Sequence, residues 1–331
     1  MLNVTASLTG IVFRVVHRLA RAGLVLCGVS LVSFLIVNAA PGDYLSDAAL
    51  TTPASAETIA RWRERFALDR PLAEQYLRWA ASVVRGEGGY SLAYGTPVAP
   101  LLATRALVTL LLAGSALVVS WLLALGAGAW TAVRAAHWDG RAVSIGAAAL
   151  MGVPDLLIAL ALLVAAARGG WLPPGGVIDD LPGDASLAVR AASLVRHLAL
   201  PVVALVLSLA PGLIRHVRGS LLTVLRAPYL VAQRARGVPA HRLLWRGALR
   251  AAAAPLISLF GLSLAAVFSA SMVIEVILSW PGLGPLMIDA VHARDPHVIL
   301  AGIMCTATLL VAGNLAADLL LRVADPRTQP A

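Results

Sequence analysis

The chain has 331 residues, of which 59% are hydrophobic and 13% charged, and its formal net charge is +9. A soluble domain of this length needs a larger charged share to cover its surface, so the composition excludes a soluble globular protein and indicates a polytopic membrane protein. All 26 basic residues are arginine, and without lysine the chain has no phosphate-binding loop of the form GxxxxGK[ST], so it is not expected to hydrolyse ATP.

Six stretches of the sequence are apolar over about 20 residues, the length that an α-helix needs to cross a bilayer. The predicted spans are 22–40, 107–133, 143–167, 198–214, 251–278 and 298–321. The sequence therefore predicts an all-α polytopic membrane protein, with about six transmembrane helices in one domain over residues 1–331.

The distribution of arginine predicts the orientation of these spans, because positively charged loops stay in the cytoplasm. With a cytoplasmic N-terminus, the inner segments carry 15 arginines and three aspartates, whereas the outer segments carry 11 arginines and 13 carboxylates. Both termini are therefore predicted to be cytoplasmic. The first span follows Arg14, Arg18 and Arg21 and is longer than the apolar core of a cleaved signal peptide, so we expect it to remain as an anchor.

Residues 41–100 form the one large segment that is predicted to be extracytoplasmic. Two short amphipathic helices are expected there, separated by a turn at Asp69-Arg70-Pro71. Their apolar faces consist of Ile59, Trp62 and Phe66 in the first helix and of Leu72, Tyr76 and Trp79 in the second. These helices would lie on the membrane surface, cap the outer mouth of a pathway, or form a simple packed subdomain. A second outer segment, 168–184, is rich in Pro and Gly and is expected to be irregular.

Residues 215–250, here called the basic loop, carry eight arginines and no Asp or Glu. Three interpretations compete for it. Arginine would simply hold the loop in the cytoplasm, or the loop would bind DNA as a helix-turn-helix, or it would dock onto a protein partner. A helix-turn-helix domain needs a third helix and a core of its own. A short loop tied at both ends to the bilayer has neither, so no nucleic acid is expected as a partner.

The docking interpretation follows from glycine and proline in the basic loop. A short helix from Pro228 to Arg236 is expected to end at Gly237, because glycine adopts the left-handed conformation of a helix end at the lowest cost. Pro239 then starts a second helix, since its fixed φ and missing N–H suit a first turn. A short helix tied to two spans can sit in a groove of a partner and pass its movement to the spans.

Several segments resemble one known family. "APYLVAQRARGVPAHRLLWRGALRAAAAPLISL" (227–259) resembles the cytoplasmic coupling loop of permease subunits in bacterial ABC importers, and specifically the first permease subunit of the dipeptide/oligopeptide/nickel permease family. Further blocks resemble the same family in the same order along nearly the whole chain. They are "GVSLVSFLIVNAAPGD" (28–43), "ALDRPLAEQYLRWA" (67–80), "GEGGYSLAYGTPV" (86–98), "VIEVILSWPGLGPLMIDAVHARDPHVI" (273–299) and "LAADLLLRVADPR" (315–327).

The chain departs from this family's pattern at three places. Val231, Ala232 and Gln233 replace the charged and then small residues that the coupling motif favours. Leu107 stands where the second span usually starts with proline, and Asp155 follows Pro154 where an apolar or aromatic residue is usual. The first departure concerns the contacts with an ATPase, and the other two concern local helix shape and the pathway.

What the resemblance implies is a type I ABC importer in the bacterial cytoplasmic (inner) membrane. This chain would pair with a homologous second permease subunit, and two ABC ATPase subunits carrying ATP and Mg would bind the coupling helices. An extracytoplasmic substrate-binding protein would deliver the substrate. The chain itself would hold no cofactor and would not be an enzyme. Di- or oligopeptides are the implied substrate, with nickel, glutathione or another small solute as the alternative.

The resemblance also implies two sets of site residues. The set expected to face an ATPase is Ala232, Gln233, Arg234, Ala235, Arg236 and Gly237. For Arg234 and Arg236 the alternative is a charge that faces water or lipid headgroups. The set expected at an outer gate or in contact with the binding protein is Glu275, Trp280, Pro281 and Gly282. The alternative there is a carboxylate at headgroup level and a tryptophan anchored at the membrane interface.

Two further positions carry hypotheses of their own. Asp155 lies within a predicted span, and because carboxylates in a membrane usually face a cavity or a partner, it is a candidate for lining the pathway. The alternative is that Asp155 caps a half-helix after Pro154. His292 and His297 supply two potential ligands without a third, so no metal site is expected.

Two other classes of function stay open from the residues alone. A secondary transporter would carry buried ionisable residues in paired, inverted halves, and only Asp155 remotely meets that description. A scaffold that transports nothing would use the basic loop to recruit a soluble protein.

Overall fold

The computed structural model describes residues 2–39, 69–179, 182 and 184–324. These residues are predominantly helical and form no β-strand, apart from an isolated antiparallel bridge between Tyr90 and Pro97. The prediction of an all-α fold is confirmed.

Helices of eight residues or more in this part of the chain are numbered in order. They are α1 (Leu2–Ala39), α2 (Leu72–Val84), α3 (Val98–Val133), α4 (Trp138–Leu150), α5 (Asp155–Gly169), α6 (Leu187–Leu225), α7 (Pro228–Ala235), α8 (Ala253–Ile277), α9 (Leu283–His292) and α10 (Pro296–Ala324). Residues 240–252, here called the connecting segment, join α7 to α8. They comprise Ala240–Arg242, a π-helical stretch Leu243–Ala248, and Leu249–Ala251.

Length and composition single out the helices that can cross a bilayer. Among the described residues, α1, α3, α6, α8 and α10 are each long and apolar enough, and α4 and α5 pass the same test as a bent pair. Up to six spans result, in agreement with the number that the sequence predicts.

The third predicted span, 143–167, is not one continuous helix in the structure; a half-helix starts after Pro154, as one of the two interpretations of Asp155 supposes. Residues 151–154 separate α4 from α5, and the two helices are bent by 99°. Pro154 accounts for the break, because proline donates no backbone hydrogen bond and disfavours helical geometry in the residue before it. Before the break, the amides of Gly152 and Val153 bond to carbonyls three residues back and tighten the last turn of α4.

Other spans extend beyond their predicted limits. The second starts at Val98 rather than at 107, and α6 covers 187–225 rather than 198–214. At 1.5 Å per residue α6 is about 58 Å long, about twice the thickness of the hydrocarbon core. Arg215 and Arg218 therefore lie on the continuation of α6 and not in an irregular loop.

The chain divides into two compact units, 1–107 with 286–311 and 108–285 with 312–331. In the first unit, Tyr76 and Trp79 of α2 pack against Phe34 of α1, with 5.3 Å between the ring centroids of Phe34 and Tyr76. The second predicted amphipathic helix is thus confirmed, although Leu72 is exposed. The first predicted one, with Ile59, lies outside the described residues.

The second unit contains the core that positions the basic loop. Its buried residues come from α3, α6, α7, the connecting segment and α8: Ala124, Ala129, Ala132, Leu213, Val217, Leu221, Leu230, Leu243, Ala248, Ala252 and Leu256. Gly128 permits the close contact between α3 and α6, since a Cβ there would lie 2.7 Å from Cγ1 of Val217. The core therefore joins three long helices to the short α7.

Candidate functional site

The short helix α7 starts and ends as the sequence predicts. Pro228 is its first residue, and Arg236 is its C-cap. Gly237 has φ +82°, and its amide donates to the carbonyl of Arg234 at 3.0 Å. The next amide, of Val238, donates to the carbonyl of Gln233 at 3.2 Å. These two bonds form a Schellman motif, so the predicted role of Gly237 in ending the helix is confirmed.

One side chain fixes α7 to the body of the second unit. Leu230 is buried in the core described above, and a Cβ on Gly247 would lie 2.8 Å from Cδ2 of Leu230. Glycine at 247 thus lets α7 approach the π-helical stretch of the connecting segment closely. Short π-helical stretches within α-helices occur frequently at functional sites. Pro239 is the N-cap before Ala240, one position earlier than the first-turn position predicted for it.

The rest of α7 is exposed. Residues 231–237 are all exposed, and this stretch contains every residue that the sequence assigns to an ATPase-facing surface: Ala232, Gln233, Arg234, Ala235, Arg236 and Gly237. Neither Arg234 nor Arg236 has a side-chain partner in the part of the chain that the structure describes. The geometry is therefore a cationic helix that is held at one buried point and is otherwise free to contact a partner.

At the other end of α8, residues 278–284 form a tight turn, here called the outer turn after its predicted side. The amide of Trp280 donates to the carbonyl of Glu275 at 2.8 Å, and the amide of Gly282 donates to the carbonyl of Trp280 at 2.8 Å. Ser279 has φ +50°, a conformation that costs a residue with a Cβ about 1–2 kcal/mol. The outer turn is thus held in a defined and locally strained shape.

The side chain of Glu275 holds the outer turn in place through a hydrogen bond to its backbone. This side chain is fully buried and accepts a hydrogen bond from the amide of Gly284 at 2.7 Å. The hydroxyl of Thr109 in α3 accepts from the neighbouring amide of Leu283 at 2.8 Å. Gly284 lies in the first turn of α9, where backbone amides and the helix dipole favour a carboxylate. The second oxygen, Oε1, has no hydrogen-bond partner among the described residues.

Burial bears on the alternative interpretations of the outer turn. The side chains of Glu275 and Trp280 are both fully buried inside the chain, whereas a carboxylate at headgroup level or an interfacial tryptophan anchor is expected to reach the surface. The indole Nε1 of Trp280 instead donates to the carbonyl of Val108 at 3.2 Å. Gly282 is also buried and Pro281 is half-buried. Burial inside the chain favours a part in building a gate over direct contact with a binding protein.

The remaining candidates are placed separately. Asp155 is half-buried and is the first residue of α5, directly after the break at Pro154. Pro154 and not Asp155 is the N-cap residue of α5, and Asp155 instead stands in the first turn, where the helix dipole favours a carboxylate. His297 is half-buried and His292 is exposed. Within the described residues, no group of three His, Cys, Asp or Glu side chains is placed to hold a metal ion.

Comparisons with known proteins agree with this arrangement. The sequence profile of the family described as "Binding-protein-dependent transport system inner membrane component" matches residues 124–330, and the profile of the N-terminal region of such membrane components matches residues 11–109. The chain is 33% identical over 307 residues to the oligopeptide transport system permease protein AppB of Bacillus subtilis, covering 92% of this chain and 95% of the relative.

Two other relatives cover nearly as much. A putative peptide permease protein of Brucella ovis is 32% identical over 319 residues, covering 94% of this chain and 97% of the relative. The glutathione transport system permease protein GsiC of Escherichia coli K12 is 30% identical over 299 residues, covering 90% of this chain and 92% of the relative.

The packing of α7 predicts that Leu230→Ala destabilises the second unit by about 2–4 kcal/mol, because it leaves a cavity in a buried cluster. The neighbouring Val231 is exposed, so Val231→Ala should change the stability by less than about 0.5 kcal/mol. Thermal unfolding of both variants in detergent measures the difference. Equal effects would show that α7 is not held through Leu230.

The outer turn predicts that Gly282→Ala destabilises the protein by about 1–3 kcal/mol through overpacking. The new Cβ would lie 2.5 Å from both the carboxylate of Glu275 and the hydroxyl oxygen of Thr109. Gly146→Ala is the matched control, because nothing lies within 4 Å of a Cβ at that position. The same thermal assay should find the control unchanged or slightly stabilised; a tolerated Gly282→Ala would contradict the contact with Glu275.

Proposed function

The chain belongs to the family of binding-protein-dependent transport system inner membrane components, and we propose that it forms half of the translocation pathway of an ATP-driven importer of peptides. It is a multi-pass permease of the inner membrane rather than an enzyme. A homologous permease subunit would supply the other half. Both termini are proposed to be cytoplasmic, which puts the basic loop on the side where ATP is available.

One observation carries this proposal: α7 is exposed along residues 231–237 and is fixed to three long helices through Leu230. A push on the exposed face of α7 must displace Leu230, and with it the packing of α3, α6 and α8. Close-packed cores transmit such displacements rather than absorb them. We assign Ala232, Gln233, Arg234, Ala235, Arg236 and Gly237 to the contact with an ATPase subunit, and closure of two such subunits on ATP would draw the α7 helices of both permeases together.

The outer turn is proposed as part of the outer gate. Glu275 of α8 is bonded to the amide of Gly284 at the start of α9, and Thr109 of α3 to the neighbouring amide of Leu283, so a movement of α8 would be passed directly to the turn. A binding protein would release its substrate above this region. Asp155, beside the break between α4 and α5, is kept as a candidate for lining the pathway, since carboxylates near a membrane usually face a cavity or a partner.

Peptides are proposed as the substrate because two of the relatives described above are named as oligopeptide and peptide permeases. The relative named as a glutathione permease is 30% identical, and glutathione, itself a tripeptide, is the second candidate. Nickel is a further alternative within the resembled family. Selection among these would depend largely on the separate binding protein.

The function is tested by reconstituting the purified chain with its partner permease, with and without an ATPase pair and a binding protein. We expect no ATP hydrolysis by the two permeases alone, and uptake of labelled oligopeptide only when all components and ATP are present. Competition with unlabelled glutathione or nickel identifies the alternative substrates. Uptake that is driven by an ion gradient without the ATPases would disprove the proposal.

A second prediction concerns the end of α7. Gly237→Val should uncouple ATP hydrolysis from peptide uptake, because a β-branched side chain at φ +82° strains the turn and displaces the residues that follow α7. Gly86→Val is the matched control, since Gly86 has φ +79° and equally open surroundings but lies outside the basic loop. Both variants should insert into the membrane. Normal coupled transport by Gly237→Val would argue against a coupling role for α7.

A further inference from the structure

A groove of about 470 Å³ lies between α7 and the connecting segment. Its walls include three arginines, Arg242, Arg246 and Arg250, together with the side chains of Tyr229 and Gln233. Of the residues assigned above to the ATPase contact, only Gln233 lines the groove. The groove is therefore a feature distinct from the exposed cationic stretch of α7 that carries Arg234 and Arg236.

The three arginines of the groove carry no counter-charge. All three are exposed, and none has a side-chain hydrogen bond or ion pair in the described part of the chain. The sequence from 215 to 250 contains no Asp or Glu that could neutralise them. The three lie four residues apart in sequence, and all of them line the groove. Three cationic side chains that line one concavity without a carboxylate offer a site for an anion.

The position of the groove along the chain indicates which anion. Arg250 precedes α8, an apolar span, by three residues, which is about 5 Å at 1.5 Å per residue. The headgroup layer on each side of a bilayer is about 5–8 Å thick, and arginine side chains reach back along an apolar surface to keep the charge at that level. Tyr229 and Trp245 near the groove are 51% and 61% exposed, and such aromatic residues are enriched at the membrane interface.

We propose that this groove binds the phosphate headgroup of an anionic phospholipid of the cytoplasmic leaflet. The planar guanidinium groups suit bidentate hydrogen bonds to phosphate oxygens, and the hydroxyl of Tyr229 and the amide of Gln233 supply neutral polar groups for a glycerol headgroup. An acidic segment of an ATPase would also complement the charge. A lipid is favoured over an ATPase segment as the ligand because, from Arg242 to Arg250, each arginine lies closer in sequence to the start of the span α8.

The test is lipid binding to the detergent-solubilised full-length chain, measured by native mass spectrometry with phosphatidylglycerol and phosphatidylcholine as probes. Wild type should prefer phosphatidylglycerol by at least about tenfold, since each arginine near anionic headgroups contributes about fivefold. The triple variant R242Q/R246Q/R250Q should lose this preference. The matched control R234Q/R236Q removes charge from the same loop outside the groove and should retain it.

Other outcomes overturn the proposal. A triple variant that keeps the preference would show that the lipid binds elsewhere, and an equal loss in the control would show a diffuse effect of charge. Displacement by millimolar inorganic phosphate would indicate a site for the free anion. Crosslinking of R246C to an ATPase subunit in the assembled transporter, with no lipid retained, would assign the groove to the protein partner. Gel filtration of each variant confirms that it is folded.

This experiment is independent of the proposed function. It needs neither ATP nor a partner subunit, so lipid selectivity can fail while coupled transport stands, and the reverse is equally possible. A conservative variant, R246K, keeps the charge but not the planar fork. Because phosphatidylcholine carries the same phosphate and differs from phosphatidylglycerol in net charge, R246K should retain the preference, and its loss would contradict a site that recognises the charge of the headgroup.

Discussion

The packing of Leu230 is the contact that holds the short helix α7 against the rest of the second unit. α7 is only eight residues long, too short to be stable on its own in water, and the remainder of it is exposed. Its position is set by one buried side chain, by the close approach that Gly247 permits, and by its covalent connections to α6 and the connecting segment. In the proposed coupling role, a helix held in this way would act as a rigid lever, because it can change its position without losing its own backbone hydrogen bonds.

Sequence patterns identified α7 because its limits depend on local chemistry. Pro228 and Gly237 act through their own backbone preferences, and both occupy the positions predicted for them. Pro154 already suggested a half-helix within the predicted span 143–167, but the bend of 99° between α4 and α5 could not be predicted, because hydropathy measures composition and not direction. The burial of Glu275 was missed for another reason. Its side chain is held by a backbone amide, that of Gly284, and a bond to a backbone amide leaves no pattern of residue types that can be read from the sequence.

The π-helical stretch from Leu243 to Ala248 was likewise beyond prediction, since no residue type specifies it. Its position in the structure is informative: it lies where Gly247 meets Leu230 and where three arginines follow one another that have no partner among the described residues. A change in helical pitch alters the direction of every later side chain relative to α7. The charge of the basic loop was evident from the sequence. Which of its arginines lie on α7 and which line the groove depends on this local geometry.

α8 connects the two ends of the candidate site. It is about 37 Å long at 1.5 Å per residue, begins directly after the connecting segment, and ends two residues past the buried Glu275. It contacts α5 and α6 along its length, and both of its ends are fixed, by the core around Leu230 at one and by the hydrogen bond of Glu275 at the other. A displacement of α7 that moves this helix must therefore either strain the outer turn or shift it. Because the carboxylate is bonded to the first turn of α9, the shift would reorient that helix, and the same contact that stabilises the closed turn would be the one through which it opens.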